Sequence, residues 1–70
     1  SFIRKLHENV DDQVFVKAII DVAKGLGIKT IAEFVEYEES LRVLKTLGAD
    51  YAQGYLIGKP APVRDIVKIY

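Results

Sequence analysis

Glu33 and Gln53 are the two side chains in this sequence whose types and spacing could do chemistry together. Glu33 sits in Thr30-Ile31-Ala32-Glu33-Phe34-Val35-Glu36, a run otherwise apolar enough for a buried strand. An unpaired carboxylate buried in such a run is costly. Either the strand is open to water there, or the charge is held at a site that uses it. Gln53 follows twenty residues later, after Tyr51-Ala52 in a second short apolar run. A carboxylate at a strand end can bind a divalent cation or take a proton from water. An amide beside it can both donate to and accept from a substrate.

Those two runs need elements to carry them. Ser1 to Val10 reads as a connector with a helical turn near Phe2 to Leu6. Asp11 and Asp12 suit the N-cap and first turn of a helix that continues from Gln13. Its apolar stripe is Phe15, Ile19, Ala23 and Leu26, widened by Val16 and Ile20, and Gly25 and Gly27 end it. Ile28 to Val35 reads as a strand buried on both faces. A second helix spans Glu38 to Leu47, with a stripe of Leu41, Leu44 and Leu47, and Gly48 terminates it. Tyr51 to Leu56 reads as a second strand and Gly58 to Pro62 as a turn. A third helix opens at Pro62, runs to about Ile69 and buries Val63, Ile66, Val67 and Tyr70.

The order α-β-α-β-α, with two parallel strands, is an α/β pattern. A repeat supports it: Leu26-Gly27 and Ala32-Glu33 recur about twenty residues later as Leu47-Gly48 and Ala52-Gln53. A unit of that length fits a partial (β/α)8 TIM-barrel-like piece, because a whole barrel needs about 250 residues. If the two strands pair in matching register, Glu33 and Gln53 converge at the C-terminal rim, where barrels place their active sites. The blander alternative is a solvated strand end for Glu33 and an inexpensive amide position for Gln53. Two exposed edges on a two-stranded parallel sheet would favour self-association.

Composition sets further bounds. Ten basic and ten acidic residues, well mixed, give no reason to expect DNA or a membrane surface as partner. With no cysteine there is neither a disulfide framework nor a thiolate metal site, which favours a cytoplasmic setting. The chain begins at Ser1 and has no methionine, in keeping with a piece of a longer protein. His7, among Arg4, Lys5 and Glu8, reads as a surface residue, and Tyr51 and Tyr55 read as packing residues with a polar tip.

Ala32-Glu33-Phe34-Val35-Glu36, then Gln53-Gly54-Tyr55, then Pro60, resembles the C-terminal third of EAL domains, bacterial phosphodiesterases that linearise cyclic di-GMP. The resemblance covers essentially the whole chain and implies that residues 1–70 are a C-terminal fragment of one EAL-type barrel. Glu33 then resembles the family's catalytic glutamate at the metal–water centre, as a metal ligand or as the base acting on the attacking water. Gln53 resembles the glutamine near the substrate. Glu36 would orient the loop or touch a guanine edge, Gly54 would permit close backbone approach, and Pro60 would shape the rim. The implied cofactor is Mg2+ or Mn2+. The implied partners are cyclic di-GMP and the rest of the barrel, with membrane tethering only through other domains of the parent.

The departures are equally specific. The Glu-Ala-Leu motif, the metal-binding asparagine, a second glutamate, the paired aspartates and the catalytic lysine are all missing from these residues. Ser1-Phe2-Ile3 resembles the stretch just after the lysine-bearing strand, and Phe34 stands where the motif often has glycine. The fragment alone is therefore expected to be inactive. The alternative is a piece of a degenerate domain that binds the nucleotide or a protein without catalysis.

Overall fold

The computed structural model describes residues 1–53, 55–58 and 65–70. After a 3-10 turn at Leu6–Glu8 come α1 (Val10–Gly25), β1 (Lys29–Ala32), α2 (Glu38–Leu47), β2 (Tyr51–Ala52), β3 (Tyr55–Leu56) and β4 (Ile66–Ile69). The strands form one sheet in the order β3-β2-β1-β4. β1 runs parallel to both neighbours, and β2 and β3 are antiparallel. The mixed α/β architecture and the parallel β1-β2 pair agree with the sequence pattern. Three expectations about elements do not survive.

The third helix is a strand at its described end. Ile66, Val67 and Ile69 are β-branched and stiff at χ1, which suits a pleated surface better than a helix. Their burial also follows period two: Ile69 is buried and Val67 half-buried, while Ile66 and Lys68 are exposed. Tyr70, expected in the core, is half exposed. Val63 and the turn through Pro62 lie outside the described residues. The single strand over Tyr51 to Leu56 is instead a hairpin, in which the chain turns at Gln53 and Tyr51 pairs with Leu56. Among the described residues the sheet thus has four strands rather than two, and the β1 and β2 edges expected to be bare are covered by β4 and β3.

The helices sit where their sequences place them, with two shifts. Asn9, not Asp11, caps α1, and its side chain accepts from the Asp12 amide at 3.0 Å. Asp11 and Asp12 remain in the first turn, where a carboxylate favours the helix dipole. The buried stripe of α1 is Val16, Ile20 and Ala23, whereas Phe15 and Leu26 face outward. α2 has the expected bounds, with Leu44 fully buried and Leu41 and Leu47 half-buried. Gly48 caps it at φ 96°, in the left-handed region that disfavours any residue with a Cβ, and this backbone conformation selects glycine.

Ile3, Leu6, Val16, Ile20, Leu44 and Ala49 close over Ala32 and Ile69 to form the core. The connector before α1 is therefore structural, since Ile3 and Leu6 are both wholly buried. Along β1, Thr30 and Ala32 are buried but Lys29 and Ile31 only half-buried, so the helices cover one face of the sheet.

Below the core, Asp50 ties the sheet together. Its carboxylate accepts from the Thr30 amide at 3.0 Å and the Thr30 hydroxyl at 3.4 Å, with Lys29 Nζ 3.8 Å away. Its backbone carbonyl accepts from Ile57 and Gly58 at 2.9 and 3.0 Å. Removing the carboxylate leaves the buried Thr30 amide without an acceptor. Asp50→Ala is therefore expected to lower unfolding stability by about 2 kcal/mol. Urea denaturation of the two proteins checks this, and Asp50→Asn, which keeps one carbonyl acceptor, should lose less.

A candidate active-site rim

β1 and β2 pair through Ile31↔Tyr51 and Ala32↔Ala52. The next residues on the two strands are Glu33 and Gln53, so parallel pairing delivers both to the C-terminal rim. The Gln53 amide donates to the Ala32 carbonyl at 2.8 Å, and the Glu33 amide donates to the Ile69 carbonyl at 2.8 Å. Both backbones are pinned from neighbouring strands. The Glu33 side chain is half-buried and forms no hydrogen bond or ion pair among the described residues.

The chain leaves regular strand geometry at this point. Phe34 has φ 59° and Gln53 has φ 49°, both in the left-handed region that disfavours residues with a Cβ. β1 thus ends at Ala32, three residues short of the strand expected through Val35. Phe34 is held there in part by its ring, which packs against Tyr70 with centroids 5.8 Å apart. Gln53 is held by function of its amide: its side-chain oxygen accepts from the Val35 amide at 2.5 Å. That bond joins the end of β2 to the loop after Glu33. It uses one acceptor position of the Gln53 oxygen, and the NH2 group of this exposed side chain makes no hydrogen bond among the described residues.

Glu36 is turned to a different partner. Its carboxylate lies 3.2 Å from Arg4 Nε, with both side chains about half exposed. This pair ties the rim loop to the start of the chain. Gln53, Glu36, Val35, Tyr37, Leu41 and Tyr55 line a shallow cleft of about 210 Å3. Tyr55 is 75% exposed, so it is not the packing residue that the sequence suggests. Gly54 and Pro60 lie outside the described residues.

Three further contacts were not visible in the motif. Arg4 stood in a charged segment with no signal that it would meet Glu36. His7 is not a surface residue: its side chain is 17% exposed, and Nδ1 is 2.8 Å from the hydroxyl of buried Ser40. Its ring also lies 5.1 Å from Tyr37, so it braces the 3-10 turn against α2. Asp50 and Thr30 did carry a signal, since they share the twenty-residue spacing of Glu33 and Gln53.

Among the described residues, no three His, Cys, Asp or Glu side chains gather as a metal site. A hard divalent cation takes six or more oxygen ligands, several of them water for Mg2+. Glu33 can be one such ligand but does not make a centre by itself. No helix among the described residues is long and apolar enough to cross a membrane.

The family model for the EAL domain matches residues 1–60. The chain is 48% identical over 62 residues to the cyclic di-GMP phosphodiesterase PdeB of Shewanella oneidensis, covering 89% of the chain and 7% of that protein. It is 45% identical over 65 residues to the cyclic di-GMP phosphodiesterase PdeF of Escherichia coli, covering 93% of the chain and 9% of that protein. The probable cyclic di-GMP phosphodiesterase PdeA of Escherichia coli is 41% identical over 64 residues, 91% of the chain and 9% of that protein. The chain thus spans less than a tenth of the length of these relatives. No solved structure matches.

The left-handed φ at Phe34 can be separated from the packing of its ring. Phe34→Ala and Phe34→Gly both remove the ring, but only glycine relieves the backbone. The glycine variant should be the more stable of the two by about 1 kcal/mol, read from their thermal or urea midpoints.

Proposed function

The chain belongs to the EAL domain family, and from that premise we propose that it is the part of a cyclic di-GMP phosphodiesterase that carries one catalytic carboxylate and one substrate amide. The observation that carries this reading is the register of β1 on β2, which brings Glu33 and Gln53 to adjacent positions at the C-terminal rim. The names of the curated relatives supply the reaction class, a phosphodiester hydrolysis on cyclic di-GMP.

In this reading the parent domain binds Mg2+ or Mn2+, and the linear product is pGpG. Glu33 supplies one carboxylate, as metal ligand or as base for the attacking water. Its lack of a side-chain partner among the described residues leaves it available for either role. A bound divalent cation would lower the pKa of its water and polarise the phosphodiester. The remaining ligands come from other parts of the parent domain. Gln53 presents its NH2 to the substrate while its oxygen holds the Val35 amide. Glu36 acts through Arg4 by holding the rim loop, the first of the two roles the resemblance allows it. Gly54 and Pro60 keep the roles that the motif implies.

The test is an assay of cyclic di-GMP hydrolysis. The 70-residue chain alone is expected to show no turnover, since one carboxylate is too few for the metal. In the complete domain, Glu33→Gln should reduce kcat by roughly 100-fold or more, the range for losing a positioned acid–base group. Normal turnover by the 70 residues would overturn the assignment. A complete wild-type domain that binds the nucleotide without hydrolysing it would establish the non-catalytic alternative.

A further inference from the structure

The 3-10 turn before α1 is firmly seated. Ile3 and Leu6 are wholly buried, and the Gln13 side chain donates to the Leu6 carbonyl at 2.9 Å. Arg4 and His7 reach from this segment to the stretch that joins the rim to α2. Arg4 Nε lies 3.2 Å from the Glu36 carboxylate, and the Arg4 carbonyl accepts from the Ser40 hydroxyl at 3.5 Å. The His7 and Tyr37 rings have centroids 5.1 Å apart, and His7 Nδ1 is 2.8 Å from Ser40 Oγ. The Arg4–Glu36 pair is about half exposed, and exposed ion pairs contribute little. The His7 side chain is 17% exposed and Ser40 is wholly buried, so their hydrogen bond is the better shielded link.

These links hold a strained loop. Glu33 is fixed at the near end, where its amide donates to the Ile69 carbonyl. Tyr37 is the N-cap of α2 at the far end, and its side chain makes no capping bond. Between them Phe34 sits at φ 59°, a conformation that persists only where its surroundings over-determine it. Ser40 lies in the first turn of α2, so the bond to His7 fixes where the helix begins and where the loop must end.

We propose that His7 is a positioning residue for Glu33. Through Ser40 and Tyr37 it anchors the far end of the rim loop, keeps Phe34 in the left-handed region, and so sets the direction in which Glu33 leaves β1. His7 does not line the rim cleft, so it acts through the loop rather than on the substrate. Its importance for turnover rests on the phosphodiesterase reading, whereas its hold on the loop does not.

The test compares two variants of the complete domain. His7→Phe keeps an aromatic ring and removes Nδ1; His7→Asn places a carboxamide near that point. His7→Phe should lower kcat for cyclic di-GMP at least about tenfold with KM within about twofold, because a small misplacement of a catalytic group is costly. His7→Asn should return kcat to within about threefold of the wild type. Amide exchange gives a readout without activity. In His7→Phe the Val35 amide, held by Gln53 in the loop, should exchange at least about tenfold faster, while the Thr30 amide, held by Asp50 on β1, keeps its wild-type rate. Wild-type kcat in a folded His7→Phe, or equal acceleration at Val35 and Thr30, would overturn the proposal. Ser40→Ala removes the same bond by deleting one oxygen and should reproduce both effects, so it decides the question should His7→Phe not fold. A wild-type domain without turnover would instead sink the phosphodiesterase reading, and the Val35 and Thr30 rates then decide the role of His7 alone.

Discussion

The structure depends on one buried carboxylate. Asp50 holds the Thr30 amide and hydroxyl, and Thr30 in turn accepts from the Asp50 amide at 3.3 Å. These reciprocal bonds fix the lower end of β1 against β2, so the register two residues further on is no longer free. Slipping by one residue would invert the faces of every side chain above it. It would also leave Thr30 and Asp50 buried without partners, a cost that the apolar contacts of two short strands cannot offset. The placement of Glu33 beside Gln53 is thus decided at the opposite end of the strands.

At the rim the same constraint meets strain. β1 and β2 deliver their last residues side by side, and both strands then break through a residue in the left-handed region, Phe34 and Gln53. Such conformations cost about 1–3 kcal/mol each and persist where surrounding contacts over-determine them. Here those contacts are the Phe34–Tyr70 ring pair, the Val35–Gln53 hydrogen bond and the Arg4–Glu36 ion pair. The exposed ion pair contributes the least of the three. What the rim gains is a half-buried carboxylate with its backbone fixed on one side by β4 and an amide whose orientation is set by the neighbouring loop.

Much of this was written in local patterns. α2 could be read to the residue because its leucine spacing and Gly48 agree with each other and with the φ that Gly48 adopts. The twenty-residue echo of Ala32-Glu33 in Ala52-Gln53 is a register pair in the sheet. α1 was readable in extent but not in orientation. Phe15 and Val16 both belong to plausible stripes, and the choice between them rests on where Leu6, Ala32 and Leu44 lie. The final segment misled because Pro62 is a good helix start, whereas Ile66, Val67 and Ile69 are stiff β-branched residues beside an open strand edge. Gln53 misled because a left-handed turn at a residue other than glycine or asparagine leaves little trace in sequence.

The sequence by itself determined the α/β class, the family, and the pair of residues worth watching. Each rests on local period, chain spacing or a contiguous motif, which survive without knowledge of the fold. Tertiary structure alone decided that Glu36 meets Arg4, that His7 braces Ser40, and that the tail becomes a strand on β1. These contacts join residues some 30 or more positions apart. Their partners are chosen by which surfaces the core leaves adjacent, and nothing in either local segment specifies that choice.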